Sequence, residues 1–220
     1  MDARVASLID HTLLRPDATR DMIHQLCTEA LQYGFAAVCI HGYWVRTAAR
    51  LLQGSPVRVC TVAGFPLGAM APEAKRAETE IAVGDGAQEI DMVLNIGALK
   101  SGELDAVRQD IEGVVQAAAA GGARVKVILE CALLSDAEKR TASLLAKQAG
   151  AAFVKTSTGF GTGGATPEDV RLLREVVGPE LGVKASGGIR TLEDVRRMVE
   201  AGANRIGTSS GVAIARASAH

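Results

Sequence analysis

One pattern recurs eight times along the chain and leaves few folds open to it. A short β-branched or apolar run ends in small and polar residues, and a longer helical stretch follows. The runs are Leu8–Leu14, Ala36–His41, Arg58–Gly64, Glu89–Leu94, Arg124–Glu130, Phe153–Thr156, Gly182–Ser186 and Arg205–Thr208. The helical stretches between them include Asp17–Tyr33, Tyr43–Leu52, Pro72–Val83, Leu104–Ala119, Asp136–Gln148, Pro167–Val176 and Leu192–Ala201. Strands that alternate with helices pair in parallel, because each helix is a right-handed crossover. Eight such units close naturally into an α/β (β/α)8 barrel of the TIM type, with an open doubly wound sheet as the alternative.

Local signals agree with this division. Thr166-Pro167-Glu168-Asp169 places a capping Thr before Pro at the first helical position, and Thr191-Leu192-Glu193-Asp194 repeats it without the Pro. Gly86, Gly121-Gly122, Gly150 and Gly202 stand where left-handed caps would end helices before the next strand. No linker or low-complexity tract interrupts the series, so residues 1–220 are expected to form a single barrel domain. Aromatics are only 3% of a chain that is 48% hydrophobic, so the core must be built from Val, Ile, Leu and Ala, which suit parallel sheets.

The same reading excludes several classes of partner. A net charge of −1 with interspersed charges gives no basic stripe for nucleic acid and no polybasic segment for a membrane. No apolar run approaches the roughly 20 residues that span a bilayer, and the start MDARVASLIDH lacks a signal-peptide core. Cys27, Cys39, Cys60 and Cys131 show no CxxC spacing and are expected to be buried free thiols in a reducing cytoplasm. His11, His24, His41 and His220 are scattered, so no metal site is expected. No Rossmann or Walker motif calls for a nucleotide cofactor.

Polar residues inside the apolar strands carry the chemistry. In this fold, function sits at the C-terminal ends of the strands. Asp10, Asp91, Lys126, Glu130, Lys155 and Lys184 fall in or at the ends of strand segments where an unpaired charge is expensive to bury. A free lysine, with a pKa of about 10.4, cannot attack a carbonyl at neutral pH. Burial and a second cation on the adjacent strand would free the amine, so Lys155 is expected as nucleophile beside Lys184, with Asp91 moving protons. Lys126 is expected to pair with a carboxylate inside the barrel, and His11 and His41 to be hydrogen-bonded structural residues. Ser186-Gly187-Gly188 and Ser209-Ser210-Gly211 follow strands 7 and 8, each ahead of a helix, where this fold commonly binds phosphate. Gly159 to Gly164 could add donors.

Five segments carry a family resemblance: Ile9-Asp10-His11-Thr12-Leu13-Leu14, Glu89-Ile90-Asp91-Met92-Val93, Lys126-Val127-Ile128-Leu129-Glu130, Val154-Lys155-Thr156-Ser157-Thr158-Gly159, and Lys184-Ala185-Ser186-Gly187-Gly188-Ile189-Arg190-Thr191. In order and spacing they resemble the motifs of deoxyribose-phosphate aldolases, over nearly the whole chain. The resemblance implies a class I aldolase that reversibly splits 2-deoxy-D-ribose 5-phosphate into acetaldehyde and D-glyceraldehyde 3-phosphate, with no cofactor. It implies a Schiff base between Lys155 and C1, with Lys184 and Asp91 assisting, and a homodimer or higher homo-oligomer. It places Asp10 near the substrate hydroxyls and Thr156, Gly159, Gly187, Gly188, Arg190, Ser209 and Ser210 in the substrate and phosphate site. Two positions depart from some members of the family. Phe160 stands where they carry a phosphate-binding lysine, and the chain ends Ala217-Ser218-Ala219-His220 without their terminal tyrosine. Another lysine-dependent phosphosugar barrel, transaldolase-like or thiazole-synthase-like, and a barrel that only binds a phosphosugar are the rival readings.

Overall fold

The computed structural model describes residues 3–219; Met1, Asp2 and the sequence's last residue, His220, lie outside them. Eight parallel strands close on themselves in chain order: β1 Ile9–Leu13, β2 Ala37–Ile40, β3 Arg58–Ala63, β4 Glu89–Val93, β5 Arg124–Ile128, β6 Phe153–Lys155, β7 Gly182–Ser186 and β8 Arg205–Thr208. Pairing of β8 with β1, Ile206 opposite Ile9, shuts the barrel. The expected closed barrel is therefore the observed fold, and the open doubly wound sheet is not.

Ten α-helices lie among the described residues: α1 Ala3–Ala6, α2 Arg20–Tyr33, α3 Val45–Leu51, α4 Pro72–Gly84, α5 Ile96–Lys100, α6 Leu104–Ala119, α7 Asp136–Gln148, α8 Pro167–Val177, α9 Leu192–Glu200 and α10 Gly211–Ala217. Thr166 and Thr191 cap α8 and α9 as expected, accepting from Asp169 N and Asp194 N. Gly86, Gly122, Gly150 and Gly202 take left-handed conformations ahead of β4, β5, β6 and β8. Several boundaries shift. The second helix begins at Arg20 rather than Asp17, because Thr19 supplies the cap. A 3-10 turn, Gly42–Trp44, precedes α3. The short helix α5 went unanticipated, although Asn95 caps it through Ala98 N. β5 stops at Ile128, short of the expected Glu130, whose φ of 56° leaves the strand conformation.

Side chains alternate along each strand, and the two faces have different chemistry. Outward residues such as Val38, Ile90, Met92, Val125, Val127, Val154, Val183 and Ile206 pack into one continuous core with the helices. Inward residues divide in two. On β2 and β3, Ala37, Cys39, Cys60 and Val62 join Leu14 in a small apolar cluster. The remaining strands turn charged groups inward. No described helix is long and apolar enough to cross a membrane.

Gly182 shows how tightly the inner face is filled. A β-carbon there would lie 1.9 Å from a ring carbon of Phe153. That ring is itself buried, with the Arg205 guanidinium 5.4 Å from its centroid, so it has little room to retreat. Gly182→Ala is therefore expected to destabilise the fold by about 1–3 kcal/mol, read as a lower denaturation midpoint. A midpoint equal to the wild type's would show that the ring can move.

Candidate active site

Seven ionisable side chains meet inside the barrel: Asp10, Glu89, Asp91, Lys126, Lys155, Lys184 and Arg205, all less than 9% exposed. Strand register brings them together, pairing Asp91 with Lys126, Lys155 with Lys184, and Lys184 with Arg205. Asp91 is the hub. Its Oδ1 accepts from Lys126 Nζ at 2.7 Å, while its Oδ2 accepts from Lys155 Nζ at 2.8 Å and Lys184 Nζ at 2.7 Å. Lys126 also reaches Glu89 at 2.7 Å, and Lys184 is bonded to Asp10. Arg205 bridges Asp10 at 2.8 Å and Glu89 at 2.9 Å at the lower end, where Arg58 meets Glu89 at 3.0 Å. Lys126 thus pairs with carboxylates, as its place early in β5 suggested.

These contacts hold the charges in place. Burial alone would raise the Asp91 carboxyl, but Lys126, Lys155 and Lys184 outweigh it and keep Asp91 well below the usual carboxylate range. Burial works against charge on Lys184 too, yet Asp10 and Asp91 overcome it and hold the ammonium firmly protonated. Burial likewise opposes the charge on Lys126, and Asp91 leads the groups that restore it. Cys60 donates to Asp91 Oδ1 at 3.1 Å, and burial pushes its own thiol well up. Cys39 lies inside β2 rather than at its end, and its hydrogen bond with Cys60 lowers it. Two sets, Cys39–Cys60–Asp91 and Asp10–Cys60–Glu89, have ligand atoms within 4.8 Å of one another. The carboxylates in both are already bonded to lysine, so a metal ion would have to displace an ammonium.

Above the cluster, a cavity of about 520 Å³ opens at the C-terminal ends of the strands. Lys155, 3% exposed, forms part of its floor; Asp91 and Lys184 lie beneath, out of contact with the space. Ser186, at the end of β7, and Gly159, Phe160, Gly187, Gly188, Arg190 and Ser209, from the loops after β6, β7 and β8, line it. Gly187 and Gly188 take left-handed φ of 90° and 79°, and their N–H groups, with that of Ser209, bond no other described residue. The start of α9 is not open to an anion in the expected way. Asp194 accepts from Arg190 N and Thr191 N, and a reciprocal bond from Asp194 N to Thr191 closes a capping box.

Three expected substrate contacts stand back from the cavity. Asp10 is sealed below, bonded to Lys184 and Arg205. Thr156 joins the ends of β6 and β7, its hydroxyl donating to Ser186 O and accepting from Ser186 N, each at 3.1 Å. Ser210 donates its N–H to Thr208 Oγ1. His11 and His41 are tied to Glu29 and Leu14 O, as structural histidines would be. Glu130, which looked like a strand residue, is the one described non-glycine residue with a positive φ. Its buried carboxylate accepts from both the backbone and the hydroxyl of Thr158, and thereby holds the loop that carries Gly159 and Phe160. Neither feature of Glu130 has a local signal in its neighbouring residues.

A closed barrel with a cavity at the C-terminal ends of its strands has the architecture of a barrel enzyme. The comparisons narrow this. Residues 4–220 match the model of the DeoC/LacD family aldolases. The chain is 59% identical to the deoxyribose-phosphate aldolase of a Geobacillus species over 214 residues, covering 97% of this chain and 96% of that one. It is 60% identical to the one from Thermococcus gammatolerans, covering 96% and 94%. A solved deoxyribose-phosphate aldolase from Aeropyrum pernix, described as tetrameric, superposes with a TM-score of 0.91 at 39% identity, covering 98% of this chain and 91% of that one. The chain belongs to the DeoC/LacD aldolase family and is a lyase.

The charge cluster should leave a pH signature at Glu89. Burial raises this carboxyl, but Lys126 and Arg205 lower it more, and the net displacement is downward. A depressed carboxylate contributes stability above its unfolded value of about 4.3 and loses it as pH falls through the folded value. Glu89→Gln is therefore expected to lower stability by about 3–5 kcal/mol. That gap should stay constant from pH 5 to neutrality and close only below about pH 4. A gap already closing at pH 6 would contradict the assignment.

Proposed function

We propose that the chain is a deoxyribose-phosphate aldolase, cleaving 2-deoxy-D-ribose 5-phosphate reversibly through a Schiff base on Lys155. One observation carries this reading: of the three lysines gathered on Asp91, only Lys155 lines the cavity. Lys126 and Lys184 each have further carboxylate partners, whereas Lys155 has Asp91 alone. Beneath Lys155 the enclosed cluster sets Lys126, Lys184 and Arg205 against Asp10, Glu89 and Asp91, three charges of each sign. Nucleophilic lysines are activated by a neighbouring cation, and Lys184 occupies that place.

The chemistry then runs in order. The Lys155 amine adds to the aldehyde carbon C1, and loss of water gives a protonated imine whose positive charge sits beside Asp91. A base reached through water in the cavity takes the proton from the hydroxyl on C3, while Asp91, which touches the Lys155 nitrogen from beneath, moves the protons of carbinolamine breakdown. The C2–C3 bond breaks, its electron pair moves into the enamine, and glyceraldehyde 3-phosphate departs. Protonation at C2 and hydrolysis of the imine release acetaldehyde and restore Lys155. The phosphate would be met by the N–H groups of Gly187, Gly188 and Ser209 and by Arg190, with Gly159 opposite. Phe160, packed edge-on against Phe65 with centroids 5.2 Å apart, lends this end shape but no charge.

Incubation with acetaldehyde and sodium borohydride, followed by peptide mapping, tests the mechanism. An N-ethyl group on Lys155 is expected, with none in Lys155→Ala, whose turnover should fall by several orders of magnitude. An unmodified Lys155 in folded protein would favour a barrel that only binds. We also propose self-association, as described for the Aeropyrum pernix relative. Sedimentation velocity should give a multiple of the 22.8 kDa chain mass, and a monomer at micromolar concentration would refute this.

A further inference from the structure

The cavity lining holds no carboxylate among the described residues, and three cations: Lys155 on the floor, Arg15 and Arg190 at the mouth. The two arginines flank one strand. Arg190 follows β7 and Arg15 follows β1, and both strands pair with β8, whose loop carries Ser209. They differ in how they are held. The Arg190 guanidinium makes no hydrogen bond or ion pair to a described residue. Arg15 is clamped by Asp17, with Nε to Oδ1 at 2.5 Å and Nη2 to Oδ2 at 2.6 Å, both side chains more than half exposed. Pro16 between them stiffens the short connection from β1 to α2.

We infer that Arg15 is a second guanidinium of the phosphate end, parked on Asp17 and transferred to the phosphate when substrate enters. The inference rests on the phosphosugar reading of the cavity. An exposed ion pair contributes little, because water screens both partners. A phosphate dianion offers the same two-pronged geometry with more charge, in a cavity that already presents backbone donors. The exchange therefore favours the ligand. Asp17 is left near the bound anion and opposes it, so Asp17 acts as a competitor that limits phosphate affinity. Arg15 and Asp17 together set the preference for phosphorylated over free sugar, a task that Phe160, being apolar, cannot share.

The test compares kcat/KM for 2-deoxyribose 5-phosphate and for 2-deoxyribose in three proteins, with inorganic phosphate as a competitive inhibitor. Arg15→Gln is expected to reduce the preference for the phosphorylated sugar about tenfold and to weaken inhibition by phosphate similarly. Asp17→Asn is expected to do the opposite, strengthening phosphate inhibition by about two- to fivefold. Both side chains are exposed, so folding should survive either change. If the pair only braces the turn, both substitutions will lower activity on the two sugars alike, and the inference fails. A preference unchanged by Arg15→Gln would overturn it too. Wild-type protein that does not distinguish the two sugars would instead overturn the phosphosugar reading on which it rests.

Discussion

Asp91 is one carboxylate that meets three lysine side chains at the bottom of the barrel's cavity, and much of the barrel is arranged around that demand. Three lysines without it would be intolerable in such a place. With it, Lys126 and Lys184 need further carboxylates, which Glu89 and Asp10 provide, and Arg205 completes the circuit below. Five strands, β1, β4, β5, β7 and β8, are thus bound across the barrel axis by charge as well as by their ladders, and β6 joins through Lys155. The arrangement separates two roles that the same residue type plays. Lysines with several carboxylates are fixed charges. The lysine with one partner, facing the cavity, is the one proposed as the reagent.

The helical shell answers to a different constraint. Outward strand residues are mostly aliphatic, such as Val38, Ile90, Val127 and Ile206, and fill the space beneath the helices. This is why the alternation read so plainly in the sequence. Inside an apolar strand such as Glu89-Ile90-Asp91-Met92-Val93, the first and third residues are charged, and a polar barrel interior accepts them. Strand order, closure and the capping threonines of α8 and α9 were legible for the same local reasons. So was the grouping of Lys155 with Lys184, which register places side by side, and Asp91 reaches both across the barrel interior.

What stayed hidden depended on side chains meeting across loops. Asp10 and Thr156 sit in the expected motifs, yet their side-chain hydrogen bonds hold them to the framework, and Ser210 gives its backbone N–H to Thr208. Asp194 looked like a helix-start acid, and its capping box takes the N–H groups that an anion would have used. Glu130 ended an apolar run and read as strand; its left-handed backbone and its hold on Thr158 depend on the loop after β6, far away in sequence. Arg15, in an exposed turn beside Pro16, has no motif. Its place at the cavity mouth follows only from closure of β8 onto β1.

The lower end of the barrel is shut by Phe153, Glu89 and Arg205, all less than 10% exposed. The vessel therefore has a single door. For the chemistry proposed, the water that hydrolyses the imine must arrive by the same route through which the larger aldehyde departs. While glyceraldehyde 3-phosphate remains at the mouth, the enamine behind it is corked off from solvent. The order in which products leave is then a matter of plumbing: the phosphorylated fragment goes first, and acetaldehyde waits on Lys155 until the passage clears.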